Sequence, residues 1–198
     1  MPYPVEITGG RNFGEGQALT GRFWNGAIQN YWNEITQTAT LRHELNTAQS
    51  ARLFALLNLT LADGVIAFYD AKYHYQLWRP VTAIRLANTS GNPAIVGDQT
   101  WTPLSPTALD PAYPSAHGVI SGDGATVLSA FFGNQDQVRV TSNVLQGVVR
   151  TFASYNDVAT EAGLSRIYAG QHTRIDNEAG LALGHAVAQF VLPHFSGK

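Results

Sequence analysis

Three short segments of this 198-residue chain place cations, a hydroxyl and imidazoles at spacings that suit the binding of an anion. In the first segment, Lys72 and Arg79 lie seven positions apart at the end of an apolar stretch that predicts a helix. Seven residues make about two helical turns, so both cations are expected to point to the same side. Cations also stabilise the C-terminal end of any helix, and the spacing by itself leaves both interpretations open.

The second segment comprises residues 114–118, Pro-Ser-Ala-His-Gly, and predicts the start of a helix. Ser115 is a favourable N-cap, and apolar residues recur after it at helical spacing. The N-terminus of a helix has unpaired backbone N–H groups and partial positive charge, which suit an oxyanion. Ser115 would add a hydroxyl there, and His117 would add a group that can exchange a proton. Many serine caps with a nearby histidine have no such role.

The third segment runs from Ser165 to Asp176 and contains Arg166 and His172. His172 and Asp176 are four positions apart, so on a helix the carboxylate can hydrogen-bond the imidazole and fix its orientation. An oriented imidazole can act as a nucleophile or as a metal ligand, although most His–Asp pairs are structural. Together the three segments provide enough positive charge to neutralise an oxyanion of charge two or three, for which the arginine fork is well suited.

The composition excludes several classes of protein. The formal net charge is −2 and no basic run occurs, so we expect no nucleic-acid partner. Without cysteine there is neither a disulfide nor a thiolate metal site. The first residues do not read as a signal peptide, but a secreted or periplasmic protein without its leader would begin in the same way, and the compartment stays open. The apolar segments 53–69 and 181–192 are interrupted by polar residues, and we expect no membrane span.

Hydrophobic periodicity predicts an all-α fold, a single helical-bundle domain over residues 1–198 with about five to six helices and one long loop. Gly and Pro predict an irregular arm at 1–20, and Pro-rich sequence predicts that the loop 87–113 lies over the site. The aromatic residues of the first helix suggest core packing or a dimer contact. The predicted helices are 22–42, 47–74, 117–132, 137–154, 157–169 and 175–192, with a turn of helix at 80–86.

In order and spacing, the three segments resemble the signature of the vanadium-dependent haloperoxidases and the type 2 phosphatidic acid phosphatase (PAP2) superfamily, which includes acid phosphatases. The resemblance spans residues 72–176, and residues 78–85 and 176–180 are more similar to the haloperoxidase branch. The matching stretches are Lys72, six residues, Arg79-Pro80; then Pro114-Ser115-Ala116-His117; then Ser165-Arg166, five residues, His172, three residues, Asp176.

The resemblance implies a role for each matching residue. His172 would bond to the vanadium of a bound vanadate, with Asp176 orienting the ring. His117 would be the acid–base group, and Lys72 would polarise bound peroxide. The implied cofactor-binding residues are Lys72, Arg79, Ser115, Ala116, His117, Arg166 and His172, and the implied catalytic residues are Lys72, His117, His172 and Asp176.

Two enzymatic functions and one non-enzymatic function follow from the resemblance. A haloperoxidase would oxidise bromide or chloride with hydrogen peroxide to hypohalous acid, which reacts with a small organic acceptor. In a vanadate-free acid phosphatase, phosphate would occupy the same site: His172 would attack a phosphate monoester to form a phosphohistidine, and His117 would protonate the leaving oxygen. A domain that binds phosphate or vanadate without catalysis is the third alternative.

The sequence departs from the family pattern in three respects. Ala116 stands where the pattern has glycine, and a positive φ at this position would cost about 1 kcal/mol or more. Asp110, seven residues before His117, replaces an aromatic residue or histidine near the halide, and its charge would repel a halide. The chain is also short, because the haloperoxidase branch commonly stacks two helical bundles. We predict that a homodimer formed through the aromatic first helix replaces the missing half.

Overall fold

The computed structural model describes residues 14–195, which form a helical bundle with one small sheet. The all-α prediction is confirmed. The helices are α1 (Glu15–Phe23), α2 (Ile28–Arg42), α3 (Thr47–Tyr75), α4 (Pro80–Arg85), α5 (Ala116–Phe132), α6 (Tyr155–Tyr168) and α7 (Arg174–Phe195), with a 3-10 turn at Ala87–Ser90. Two antiparallel strands, β1 (Val138–Thr141) and β2 (Val149–Phe152), pair with Val138 opposite Phe152.

The strands correct the prediction of a helix at 137–154. Burial alternates along β1, where Val138 and Val140 are buried and Arg139 and Thr141 are exposed. This alternation is too short to stand out from a helical pattern in the sequence, and the pairing with β2 decides between them. The irregular arm predicted at 1–20 is also wrong in part, because α1 begins at Glu15. Residues 1–13 lie outside the described part of the chain.

The aromatic segment 22–42 forms two helices rather than one, because a turn at residues 24–27 separates α1 from α2. Phe23, Trp24, Tyr31 and Trp32 are each fully buried in the core, so the prediction of core packing is confirmed. These side chains are therefore not available as the predicted dimer surface.

The long helix α3 is defined at both ends by its sequence. At its N-terminus, Asn46 and Gln49 form a capping box. At its C-terminus, Gln76 adopts a left-handed conformation (φ 50°), and its backbone N–H donates to the carbonyl of Lys72. This ending places Lys72 in the last turn of the helix, where its side chain is buried.

The stretch Thr47–Arg85 contains an 18-residue window with a mean hydropathy of 1.5, long and apolar enough to cross a membrane by length and composition. The expectation that this part of the chain is too polar to do so is therefore wrong. Within the fold, 39% of that window is buried, and the core helix of a water-exposed domain meets the same criterion. The absence of a membrane span stays a prediction.

Glycines allow α5 and α7 to pack closely, which brings the starts of these two helices together. A Cβ atom at Gly184 would lie 2.0 Å from the carbonyl oxygen of Val119, and one at Gly180 would lie 2.6 Å from that of Ser115. At the end of this contact, the backbone N–H of Ser115 donates to the carbonyl of Asp176 at 2.9 Å. The second and third segments of the sequence pattern therefore adjoin.

Candidate active site

The first and third segments meet where the guanidinium of Arg79 contacts the imidazole of His172. Nη1 of Arg79 lies 3.0 Å from Nε2 of His172 and also donates to the carbonyl of Gln171 at 3.0 Å. Arg79 directly precedes α4, and His172 lies in the turn between α6 and α7. Both side chains are buried. Two groups far apart in the sequence are thus in direct contact.

Lys72 brings a buried ammonium to this site from the last turn of α3. Its Nζ lies 3.1 Å from Oδ2 of Asp110 and donates to the carbonyls of Pro111 and Ala112. Burial and the nearby charge of Arg79 lower the pKa of Lys72, while the carboxylate of Asp110 opposes that change. Asp110 thereby favours the charged form of Lys72.

Asp110 joins both cations of the first segment, a contact that the sequence did not indicate. Its Oδ1 accepts from Nη2 of Arg79 at 2.8 Å, and its carbonyl accepts from Nε of Arg79 at 2.9 Å. Burial alone would raise the pKa of this carboxyl, but the charges of Lys72 and Arg79 outweigh burial, and the pKa is lowered. Asp110 is therefore an anion already held where the family pattern expects a bound oxyanion.

The start of α5 provides the hydroxyl and backbone groups of the second segment. Ser115 is the N-cap, and its buried hydroxyl accepts from the backbone N–H of Gly118 at 3.3 Å. Ala116 is the first residue of the helix and does not have a positive φ. Alanine therefore causes no backbone strain here, and its N–H is among those that a helix start leaves unpaired.

His117 faces the turn between α1 and α2. Its Nε2 donates to the carbonyl of Trp24 at 3.0 Å, so the ring nitrogen that carries the proton is Nε2. Burial, followed by the charge of Arg166 and then that of His172, lowers its pKa well below the usual value, whereas the backbone carbonyls raise it. His117 is therefore neutral at pH 7 and close enough to the third segment to respond to its charges.

A side-chain network supports the carbonyl that His117 contacts. The indole N–H of Trp24 donates to Oε1 of Glu161 at 2.9 Å. The other oxygen of Glu161 accepts from Nη1 of Arg150, in β2, at 2.7 Å. Since Trp24 is fully buried, this network fixes the position of its backbone.

Arg166 is the third cation and projects from the last turn of α6. Burial and the charge of Arg79 lower its pKa to about 10, so it remains charged at pH 7. Its Nη1 donates to Oδ1 of Asn25 at 3.1 Å. Arg166 and Arg79 are thus near neighbours of like charge, an arrangement that an anion between them would stabilise.

His172 and Asp176 face each other across the start of α7, not within a helix as the spacing suggested. Nδ1 of His172 lies 3.5 Å from Oδ2 of Asp176, which also accepts from the backbone N–H of Thr173 at 2.7 Å. Burial lowers the pKa of His172 to about 4, against the influence of Asp176. The imidazole is therefore neutral at pH 7, with Nδ1 protonated toward Asp176 and a lone pair on Nε2.

Two side chains of this region were missed by sequence reasoning, Gln171 and Asn25. The amide of Gln171 is buried and donates to the carbonyl and hydroxyl oxygens of Ser105, which attaches the long loop next to His172. Asn25 holds the guanidinium of Arg166. Neither amide forms a motif, and the proximity of Gln171 to His172 in the chain was the one available signal.

The residues present fit a tetraoxo anion such as vanadate. Three cations, a helix N-terminus and a neutral imidazole, whose Nε2 lone pair here accepts from Arg79, are the groups that such an anion requires. Nδ1 of His172 is buried without a short hydrogen bond among the described residues. A metal centre bound at Nε2 would make the Nδ1–H group a stronger donor to Asp176.

Comparison with known proteins places this arrangement in a family. Residues 52–197 match the model of the VCPO second helical-bundle domain. The chain belongs to this family. The match begins within α3, so α1 and α2 of this VCPO-type bundle lie outside it.

Relatives of this VCPO-type bundle are vanadium haloperoxidases. The vanadium chloroperoxidase of Curvularia inaequalis is 24% identical over an alignment of 226 residues, gaps included. The alignment covers 82% of this chain and 36% of that protein. A bacterial vanadium-dependent iodoperoxidase superposes with a TM-score of 0.80 at 29% identity, covering 89% of this chain and 43% of that one. A holo-type bacterial vanadium-dependent chloroperoxidase shares the fold, with a TM-score of 0.72 at 18% identity and coverage of 94% and 46%. The VCPO-type bundle thus spans less than half the length of the relatives that it matches.

Proposed function

We propose that this chain carries the active site of a vanadate-dependent haloperoxidase that oxidises bromide or chloride with hydrogen peroxide to hypohalous acid. The observation that carries the proposal is the contact between Arg79 and His172, at 3.0 Å, with Lys72 joined to Arg79 through Asp110. Membership of a vanadium chloroperoxidase family supports it.

The residues divide into binding and proton-transfer groups. His172 would hold the vanadium, and Asp176 would keep the proton on Nδ1 so that Nε2 is the ligand atom. Bound vanadate would supply a Lewis-acidic centre that activates peroxide, while the oxidation state of the vanadium stays the same. The remaining binding residues would neutralise or donate to its oxygens; they are Lys72, Arg79, Arg166, Ser115 and the N–H of Ala116.

His117 would exchange protons with the oxygens of the bound anion and of peroxide. Its neutral state at pH 7 allows it to accept a proton from peroxide, and Nε2 is already committed to the carbonyl of Trp24. Nδ1 is therefore the atom that would take the proton. Lys72 would polarise bound peroxide, and its buried ammonium is suited to this because burial strengthens its field.

An acid phosphatase of the PAP2 type is the second candidate, and Asp110 is the observation that favours it. A carboxylate on Lys72 and Arg79 repels a halide approaching these cations but does not prevent attack on phosphorus by His172. The same cations would stabilise the charge that develops on phosphate in the transition state.

One pair of assays distinguishes the two functions. The protein is stripped of bound anions, vanadate is added, and peroxide-dependent bromination is measured beside the hydrolysis of an aryl phosphate. We expect bromination that requires vanadate and falls when phosphate competes. Hydrolysis that vanadate inhibits, without bromination, would instead support the phosphatase.

Substitution of His172 tests the assignment of roles. His172→Ala should abolish activity and the binding of vanadate, measured by vanadium NMR, since it removes the metal ligand. His74→Ala is the matched control, because His74 is exposed at the same end of α3 and should be replaceable without effect. Activity retained in His172→Ala would show that the roles are wrongly assigned.

A further inference from the structure

An apolar groove lies beside His117, between α2, α3 and the start of α5. Its volume is about 490 Å³, within the range of roughly 300–1,000 Å³ of small-molecule sites. The floor includes Leu61 and Phe68, which are buried, and one wall includes Val65 and Tyr69, which are partly exposed. The groove therefore combines a packed interior with an opening to solvent.

The lining of this groove selects against charged ligands. Among the residues that the structure describes, no lysine, arginine, aspartate or glutamate lines it, in contrast to the neighbouring anion pocket. An ion placed there would lose hydration without a partner, whereas an uncharged apolar group gains from burial. The amide of Gln29, exposed in the first turn of α2, stands at the rim and suits one polar substituent.

Two aromatic rings indicate which uncharged group the groove would hold. The rings of Phe68 and Tyr69 have centroids 4.6 Å apart and are tilted by 47°. Both residues line the groove, and aromatic side chains favour contact with a further ring in offset-stacked or edge-to-face geometry. Tyr69 is 43% exposed, so the contact surface is available.

His117 belongs both to the groove and to the anion pocket. His117 lines the groove together with Ala116, and Ser115, which precedes them as the N-cap of α5, belongs to the candidate anion site. A molecule in the groove would therefore lie next to the group that exchanges protons with the bound anion. Small ligands commonly bind in such apolar clefts with a few convergent polar groups.

We propose that this groove binds an uncharged aromatic molecule of phenol size, the organic acceptor of the oxidised halogen. The proposal rests on the haloperoxidase function proposed above and deepens it. Hypohalous acid would replace one ring hydrogen by halogen with release of water, so that the acceptor is oxidised and the halogen reduced. The groove holds the ring beside the site where hypohalous acid is formed.

Binding of phenol to the vanadate-free protein tests the groove independently of activity. Phenol should shift the NMR signals of Tyr69 and Val65, and cyclohexanol of the same size should bind clearly more weakly. Val65→Phe fills the groove and should raise the dissociation constant of phenol about tenfold. Ala62→Trp provides a second blocking variant, and Ile66→Phe, next to Val65 but outside the lining, is the matched control.

Turnover provides the second readout. In the vanadate-loaded protein, Val65→Phe should raise the KM for phenol while the rate of bromide oxidation without an organic acceptor stays unchanged. Unchanged phenol binding in both blocking variants would overturn the proposal, as would equal binding of cyclohexanol. Binding of phenyl phosphate without phenol would assign the groove to a phosphatase substrate instead.

Two further outcomes separate the groove from the proposed function. A dimer that both blocking variants dissociate would show that a second copy covers the groove, and would overturn the proposal. Phenol binding that persists in a protein without vanadate-dependent halide oxidation would support the groove and refute the haloperoxidase function.

Discussion

Asp110 places a carboxylate against two of the three cations in the candidate active site. It lies 3.1 Å from the ammonium of Lys72 and 2.8 Å from the guanidinium of Arg79. Since an oxyanion needs the same donors, Asp110 competes with any anion that binds there. It also favours the charged form of Lys72, because its carboxylate opposes the lowering of the pKa of Lys72 by burial and by the charge of Arg79.

Asp110→Asn should therefore increase the affinity for inorganic phosphate by about three- to tenfold, which is the effect of removing a partly buried ion-pair competitor. Isothermal titration calorimetry at pH 7 measures this affinity. Asp70→Asn, on the exposed side of α3, removes the same formal charge and should leave the affinity unchanged. Equal affinities in all three proteins would show that Asp110 does not compete.

At the scale of residues, the sequence predicted the site groups that belong to short motifs with a fixed spacing. The cations and imidazoles of the three segments come together as expected, although their roles stay predictions. The contacts of Asp110, Asn25 and Gln171 could not be predicted, because each joins segments far apart in the chain. An amide or a carboxylate in a loop carries no local signal of its distant partner.

At the scale of elements, the glycine contact between α5 and α7 decides where the site lies. Gly184→Ala should destabilise the fold by about 1–3 kcal/mol, because a methyl would meet the carbonyl oxygen of Val119. It should also weaken anion binding, since the starts of both helices contribute to the site. Thermal unfolding and phosphate titration measure the two effects.

Gly16→Ala is the control for this substitution. Gly16 lies in α1, where a Cβ would meet no atom within 4 Å among the described residues, and alanine favours a helix. We expect unchanged or slightly increased stability. Loss of stability in Gly16→Ala as large as in Gly184→Ala would mean that close packing is not the cause.

Helix periodicity predicted most elements because apolar residues mark the buried face over several turns. It failed where an element is short. β1 has four residues, and only its pairing with β2 identifies it as a strand. It also merged α1 with α2, because the aromatic pattern continues through the turn at residues 24–27, which is itself buried at Trp24.

At the scale of the whole molecule, stability should depend on a carboxyl buried in the core. Asp123 of α5 is fully buried and packs where Gly64 of α3 has no side chain. Neither carboxyl oxygen has a hydrogen-bond partner among the described residues. Burial, followed by the charge of Asp63, raises the pKa of Asp123 to about 9, so this group is neutral in the folded protein at pH 7.

The folded state holds this proton up to about pH 9, whereas the unfolded chain releases it near its ordinary pKa of 3.8. The contribution of this proton to the free energy of unfolding is thus complete below pH 3.8. It is lost as the pH rises toward 9, at up to about 1.4 kcal/mol per pH unit. Asp123→Asn should flatten this decline and raise the unfolding temperature at pH 9. Identical pH profiles for both proteins would exclude Asp123 as the cause.

The predicted homodimer is a further property of the whole molecule. The aromatic residues buried in α1 and α2 cannot form it, but α7 exposes Ile175 and Phe190. Sedimentation equilibrium decides the question, and we expect twice the chain mass of 21.4 kDa. A monomer at all concentrations would refute the prediction.

The network behind Trp24 connects the small hairpin to His117, the residue to which the proposed function assigns proton transfer. Arg150 holds Glu161, Glu161 holds the indole, and the carbonyl of the same tryptophan orients the imidazole of His117. A mutation at Arg150 would therefore act on the acid–base step from a distance, without touching an anion-binding group. Under the proposed function, variation in the hairpin would change the pH dependence of the reaction without changing an anion-binding group.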